Sequence, residues 1–198
     1  MTAVTEVRVL TGAALDSALD DVARLRIAVF RDWPYLYDGD LDYERRYLES
    51  YRTSAGAVLV GAFAGPRLVG AATGTPMEDH ADDFAAAFAG SGYELATIFY
   101  CAESVLLPDY RGRGVGHRFF DLREAHARAM GRTRSAFCAV QRPADHPLRP
   151  PDYAPLDPFW RKRGYERLEG ALAHFRWKDA DQPIESDHVL QFWIKSLS

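Results

Sequence analysis

Apolar positions along the chain change period several times, and each change marks an element. Residues 5–10, TEVRVL, alternate in twos and predict a short strand. Residues 14–31 place Leu15, Leu19, Val22, Leu25 or Arg26, and Val29 at helical spacing, which predicts an amphipathic helix ended by Pro34. A second helix spans residues 41–52, with Leu41, Tyr47 or Leu48, and Tyr51 on one side. Two apolar runs, 57–64 and 67–75, flank Gly65-Pro66 and read as a hairpin. Residues 78–90 read as a polar loop and a short helix. Residues 94–108, ELATIFYCAESVLLP, form the longest strand candidate, stopped by Pro108. Residues 116–131 then predict a strong helix, with Val115, Phe119, Leu122, His126 and Ala129 on its buried face and Gly131 at its end. A strand over 134–140, a proline-rich loop, a short helix over 157–164 and two strands around 171–178 and 188–196 complete the chain. With no internal repeat and no linker, this is one α/β domain over residues 1–198.

Composition narrows the class. The chain is 47% hydrophobic and 26% charged with a net charge of −4, which fits a globular protein and argues against a general nucleic-acid binder. No apolar run approaches a membrane span, and the opening MTAVTEVRVL lacks the apolar core of a signal peptide. Cys101 and Cys138 each lie in an apolar run and read as buried free thiols, so the expected compartment is the cytoplasm. The six histidines show no metal-ligand spacing, and no G-x-S-x-G elbow is present.

The stretch YRGRGVG, residues 110–116, carries the most chemistry. It sits between the long strand candidate and the strong helix. A helix starting near Gly114 lacks Ser, Thr, Asp or Asn at its cap, so its free N–H groups and dipole need a partner. A bound phosphate would serve, with Arg111 and Arg113 adding charge and the glycines allowing close approach. A Walker loop needs Gly-Lys-Ser/Thr, which is absent. A dinucleotide fingerprint needs G-x-G-x-x-G, whereas Gly112, Gly114 and Gly116 give G-x-G-x-G.

The pattern that fits is R/Q-x-x-G-x-G/A, with Arg111, Gly114 and Gly116 in register. Here the sequence resembles the GNAT superfamily of acyl-CoA-dependent N-acetyltransferases. The block ESVLLPDYRGRGVGHRFFDLREAHA is similar to that family's central motif, the order of elements is the family's order, and FWRKRGY at 159–165 looks like its last helix. The resemblance implies an α/β fold with a central, mostly antiparallel mixed sheet, splayed between its fourth and fifth strands and flanked by helices. It implies acetyl-CoA as co-substrate, with no metal. Main-chain N–H groups of Arg111, Gly112, Arg113, Gly114, Val115 and Gly116 would grip the pyrophosphate. Val105, Leu106 and Leu107 would pair with the pantetheine arm, an N–H near Leu106 would polarise the thioester carbonyl, and the strand from Ala136 to Val140 would diverge.

An acceptor amine must lose a proton to attack. Glu103, just ahead of the cofactor-pairing segment, is the first candidate base, and an exposed or paired strand-end carboxylate is the equal alternative. Tyr100 is a poor base by its own pKa. Relatives often use a tyrosine of the last helix to protonate the thiolate, but here that pair is Phe159-Trp160, so Tyr153 becomes the substitute, with simple loop packing as its rival reading. The missing hydroxyl also keeps open a module that binds acyl-CoA without turnover. Residues 35–44, with three tyrosines and four acidic residues, are expected to line the acceptor side for a small-molecule or peptide amine. Arg142, Arg149, Arg161, Lys162 and Arg163 read as surface charge or as contacts to the 3′-phosphate of coenzyme A. A late edge strand leaves a homodimer open.

Overall fold

A computed structural model of the protein describes residues 5–197; residues 1–4, at the start of the segment weighed above as a leader, and residue 198 lie outside the described residues. Strand β1 (Thr5–Leu10) leads into helices α1 (Ala13–Phe30) and α2 (Leu41–Thr53). Hairpin β2 (Val58–Ala64) and β3 (Arg67–Pro76) follows, then α3 (Ala81–Phe88), β4 (Ile98–Tyr100) and β5 (Ser104–Leu106). Helix α4 (Val115–Ala129), β6 (Arg134–Val140), α5 (Asp157–Lys162), β7 (Glu166–Lys178) and β8 (Glu185–Ser196) complete it.

The strands form one open sheet in the order β1-β2-β3-β4-β6-β8-β7, with β5 paired to β3. Among the described residues, β4 and β6 alone pair in parallel. On β2, Val58, Val60 and Ala62 pack under α4, while Leu59 packs under α1 and α2. That period of two is why helices cover both faces. Val22, Leu48 and Leu59 are fully buried in this way, each stabilising the fold by about 1.5–3 kcal/mol.

Residues 94–108 do not form one strand. Thr75 faces Tyr100 and Ala72 faces Ser104, so β3 advances three residues while its partner advances four. The surplus residue makes a bulge over 101–103 that separates β4 from β5. The last bond from this edge to β6 is Cys101 N–H to the Ala136 carbonyl at 2.8 Å. Beyond it β5 continues along β3 while β6 continues along β8, and the sheet opens between them.

The buried face of α4 also differs from the apolar stripe. Val115, Phe119, Phe120 and Ala127 are buried together with Arg123 and Glu124, whereas Ala129 is exposed. Two charged side chains thus lie on the buried face, Arg123 one turn from Phe119 and from Ala127, and Glu124 one turn from Phe120. Strand β7 starts at Glu166, earlier than its alternation suggests, because a bulge near Gly170 (φ 78°) breaks the pattern between two paired stretches.

Candidate active site

The opening in the sheet leads directly to the glycine loop. A 3-10 turn over Pro108–Tyr110 carries the chain from β5 toward α4. Gly112 and Gly114 adopt φ of 72° and 80°, where a side chain is strained, and a Cβ at either would meet nothing within 4 Å. Gly114 is the N-cap residue of α4 and offers no side-chain acceptor. The ladder begins with Arg118 N–H to the Gly114 carbonyl at 3.2 Å, so the N–H groups of Val115, Gly116 and His117 precede it. Open space, orphan donors and the positive end of a 15-residue helix coincide. The Arg111 main-chain N–H is committed differently: it donates to Pro108 at 3.0 Å, and its Nε donates to the Leu106 carbonyl at 3.1 Å. Arg111 therefore ties the end of β5 to the loop.

Along β5 the antiparallel ladder divides the main-chain donors. Leu107 N–H donates to Val69 at 3.0 Å, and Val105 faces Ala71 in the same phase. By alternation Ser104 and Leu106 direct their N–H groups away from β3, toward the opening. Of the three residues assigned to the cofactor arm, Leu106 is the one whose N–H faces the gap, while Val105 is buried in the core.

Arg123 fills the bulge. Its side chain is 1% exposed and donates to the carbonyls of Phe119 (3.2 Å), Thr73 (3.0 Å) and Glu103 (2.9 Å) and to Ser104 Oγ (2.8 Å). Among the described residues no carboxylate lies within ion-pair distance of it. Three carbonyl dipoles, the Ser104 hydroxyl and the face of the Phe120 ring at 4.8 Å solvate this buried charge, and Thr73, Glu103 and Ser104 are residues that shape the opening.

Glu103 stands on the bulge, and its side chain, 8% exposed, is paired with the guanidinium of Arg26 and accepts from Tyr47 Oη at 3.1 Å. Arg26 pairs simultaneously with the fully buried Glu44, and its guanidinium lies over the ring of Tyr47 at 4.4 Å. These groups floor a pocket of about 340 Å³. Tyr35, Tyr37, Asp38, Asp40, Tyr43 and Glu44 from the aromatic-acidic segment line it, opposite Phe175 and Trp177 of β7. Burial pushes the phenols of Tyr35, Tyr37, Tyr47 and Tyr100 upward, so they stay neutral. Cys138, at the back of the pocket, is pushed up to about 12 by burial and holds its proton. Both cysteines are buried and free.

Other assignments fall elsewhere. Tyr153 packs edge-on against Trp33 and beneath Arg149; it is half-buried and is not a wall of the pocket. Trp160 packs between Phe137 and Trp193, while Phe159 lies against His117 and would touch a Cβ at Gly116 at 3.5 Å. Arg142 is not surface charge and is not free for a phosphate. It pairs with Asp179 through two bonds of 2.7 and 2.8 Å and donates to the carbonyls of Pro34 and Tyr35. Arg163 is likewise committed, to Asp121 and the buried Glu124.

Sequence reasoning passed over Arg26, Tyr47 and Arg123 as functional residues, and placed Glu44 only within the acidic-aromatic segment. The signal available was a charge on an apolar stripe: Arg26 shares its face with Val22 and Leu25, and Arg123 its face with Phe119 and Ala127. Among the described residues, no group of three or more His, Cys, Asp or Glu side chains is arranged to hold a metal. No helix there is long and apolar enough to cross a membrane.

Comparison with known proteins agrees with this geometry. The family model for acetyltransferases of the GNAT family matches residues 22–150. No curated protein matches the chain in sequence. Among solved structures, ribosomal-protein-alanine N-acetyltransferase from Brucella melitensis superposes with a TM-score of 0.62 at 14% identity, covering 96% of this chain and 99% of that one. YncA from Salmonella typhimurium, solved with acetyl-CoA, gives 0.61 at 11% identity over 99% and 95%. PaiA N-acetyltransferase from Thermoplasma acidophilum, solved with coenzyme A, gives 0.53 at 14% identity over 98% and 99%. At these identities the likeness is one of fold. With the family model spanning well over half of its length, the chain belongs to the GNAT family of acetyltransferases.

Proposed function

We propose that the protein transfers an acetyl group from acetyl-CoA to a primary amine by direct attack in a ternary complex. The observation that carries this reading is the alignment of three features along one stretch of chain. Orphan N–H groups of α4 suit the pyrophosphate, the outward N–H of Leu106 suits the thioester carbonyl, and Glu103 reaches into a separate pocket. Gly112, Arg113, Gly114, Val115 and Gly116 form the pyrophosphate seat, with Arg111 bracing it. That two structures of the same fold were solved with acetyl-CoA or coenzyme A supports the cofactor.

In the reaction the amine nitrogen attacks the thioester carbon, the C–S bond breaks, and coenzyme A leaves as thiolate. The developing oxyanion is met by the Leu106 N–H. The amine proton passes to the Glu103 carboxylate, directly or through one water. Tyr153, the candidate donor to the thiolate, is protonated because burial raises its phenol, but it packs against Trp33 outside the pocket walls and would have to turn toward the opening to serve. Two buried free thiols favour a cytoplasmic setting.

Release of free thiol from acetyl-CoA in the presence of an amine library tests the reaction. Glu103→Gln should lower kcat at least 10-fold with KM for acetyl-CoA little changed; unchanged activity across pH removes Glu103 from the mechanism. Binding of acetyl-CoA without thiol release across the panel would instead favour the non-catalytic acyl-CoA-binding module, which the absence of a hydroxyl at Trp160 motivates.

A further inference from the structure

Charge at the pocket floor is unbalanced. Glu44 and Glu103 share one guanidinium, that of Arg26, which leaves one surplus negative charge in a buried site. At the rim Asp38 is held by Arg31 and Lys178 and Arg176 by Asp187, Glu185 faces Lys178 across the β7–β8 pair, and Asp40 accepts from the Tyr43 N–H as the cap of α2. Between floor and rim the walls are aromatic, with Tyr35 set against Phe30 at 4.6 Å and against Trp177 at 6.0 Å. Burial keeps the wall phenols neutral, so they add no further negative charge to that of the floor.

The acceptor end is also strapped shut on one side. The segment carrying Tyr35 and Tyr37 is bonded to the end of β7 through Asp38 N–H to the Lys178 carbonyl (2.9 Å), Ala180 N–H to the Leu36 carbonyl (2.6 Å) and a bridge between Tyr37 and Asp179. Arg142 and the Trp177 indole N–H fasten the same segment through the Tyr35 carbonyl. A polypeptide acceptor binding by strand addition needs a free main-chain edge, and here the edge beside the pocket is already paired. The volume of about 340 Å³ sits at the small end of ligand pockets, roughly 300–1,000 Å³.

We propose that the acceptor is a small monocationic amine with an aromatic or compact apolar body, taken whole into the pocket above Glu44 and Glu103. This rests on the acetyl-CoA-dependent reading given above. The surplus charge attracts the ammonium, the aromatic walls take the body, and the strap excludes a protein chain. An α-carboxylate on the acceptor would be repelled by the same floor.

The test uses the wild-type protein and varies the ligand. Phenethylamine, phenylalanine, spermidine and a peptide with a free N-terminus are compared as acceptors, with 2-phenylethanol as a neutral competitor. The expected result is a kcat/KM for phenethylamine at least 100-fold above spermidine and the peptide and at least 10-fold above phenylalanine, with no inhibition by 2-phenylethanol. Equal or faster turnover of the peptide or of spermidine would overturn the proposal while leaving the transferase reading intact. If acetyl-CoA neither raises the Tm nor releases thiol with any amine, that reading fails instead. Calorimetric titration of phenethylamine into the protein alone then decides the pocket: saturable binding that 2-phenylethanol does not displace supports it, and no binding overturns it.

Discussion

Arg123 Nη1 donates to the main-chain carbonyl of Glu103 at 2.9 Å, from a side chain only 1% exposed. The same nitrogen bonds the Thr73 carbonyl, which also accepts from Ala102, so one guanidinium holds both sides of the bulge. A charge buried without a carboxylate would be costly were its donors not spent on these acceptors. Helix α4 thus controls where β5 leaves the sheet.

Arg123→Lys and Arg123→Met should therefore impair catalysis beyond their effect on stability. Loss of several charge-assisted bonds destabilises by about 3 kcal/mol, read from urea unfolding. In the folded fraction kcat should fall at least 10-fold, with KM for acetyl-CoA changed less than 3-fold. Ser104→Ala, which removes one partner, should cost about 1 kcal/mol and leave kcat within a few fold. A folded Arg123→Met protein with normal kcat would reduce the residue to packing.

The glycine loop separates backbone strain from occupancy. Gly114→Ala places a side chain at φ 80° and should cost about 1–2 kcal/mol in stability. Gly116 has ordinary helical geometry, and its Cβ would meet only Phe159 at 3.5 Å, so Gly116→Ala should fold normally. Gly116→Glu adds bulk and negative charge at the orphan N–H groups. Its Tm should stay within a few degrees of wild type while affinity for acetyl-CoA falls at least 10-fold, measured by calorimetry.

These positions also show what was legible beforehand. Helices α1, α2 and α4 declare themselves through a 3.6-residue period, and the loop through glycine spacing ahead of an uncapped helix. The bulge at 101–103 left no mark, because Cys101 and Ala102 are as apolar as the strand residues around them. Glu103 was legible as a candidate by its place ahead of the loop. Its partners Arg26 and Tyr47 were not, because the contacts bring together residues on two helices and a bulge far apart in sequence. Arg142 misled for the same reason: its partner Asp179 lies across the fold, and a charge in a proline-rich loop reads as solvated.

Arg142 and Asp179 form a buried pair, 9% and 7% exposed, that anchors the acceptor strap. Arg142→Ala or Asp179→Ala should each destabilise by about 3–5 kcal/mol, since each strands a buried charge. The double variant should cost less than the two added together, and thermal unfolding of all four proteins completes the cycle. Asp179→Asn keeps the shape and should raise KM for the acceptor more than for acetyl-CoA.

Two histidines predict an acid limb in stability. Burial lowers the pKa of His80 and of His188 below the usual 6.5. Below pH 6.5 the unfolded chain therefore binds these protons before the folded one does, and stability falls as pH drops toward the folded values. Urea unfolding between pH 7 and pH 5 should show that decline, and His188→Gln should flatten it. An unchanged slope in that variant would assign the limb to other groups.

A crystal structure with coenzyme A bound tests the central claim most directly. The account predicts the pyrophosphate against the N–H groups of Gly114, Val115 and Gly116, the pantetheine arm along Ser104–Leu106 in the opening between β5 and β6, and the thiol pointing toward the pocket floored by Glu103. A pyrophosphate seated away from this loop, or a thiol that does not reach the Glu103 pocket, would contradict it.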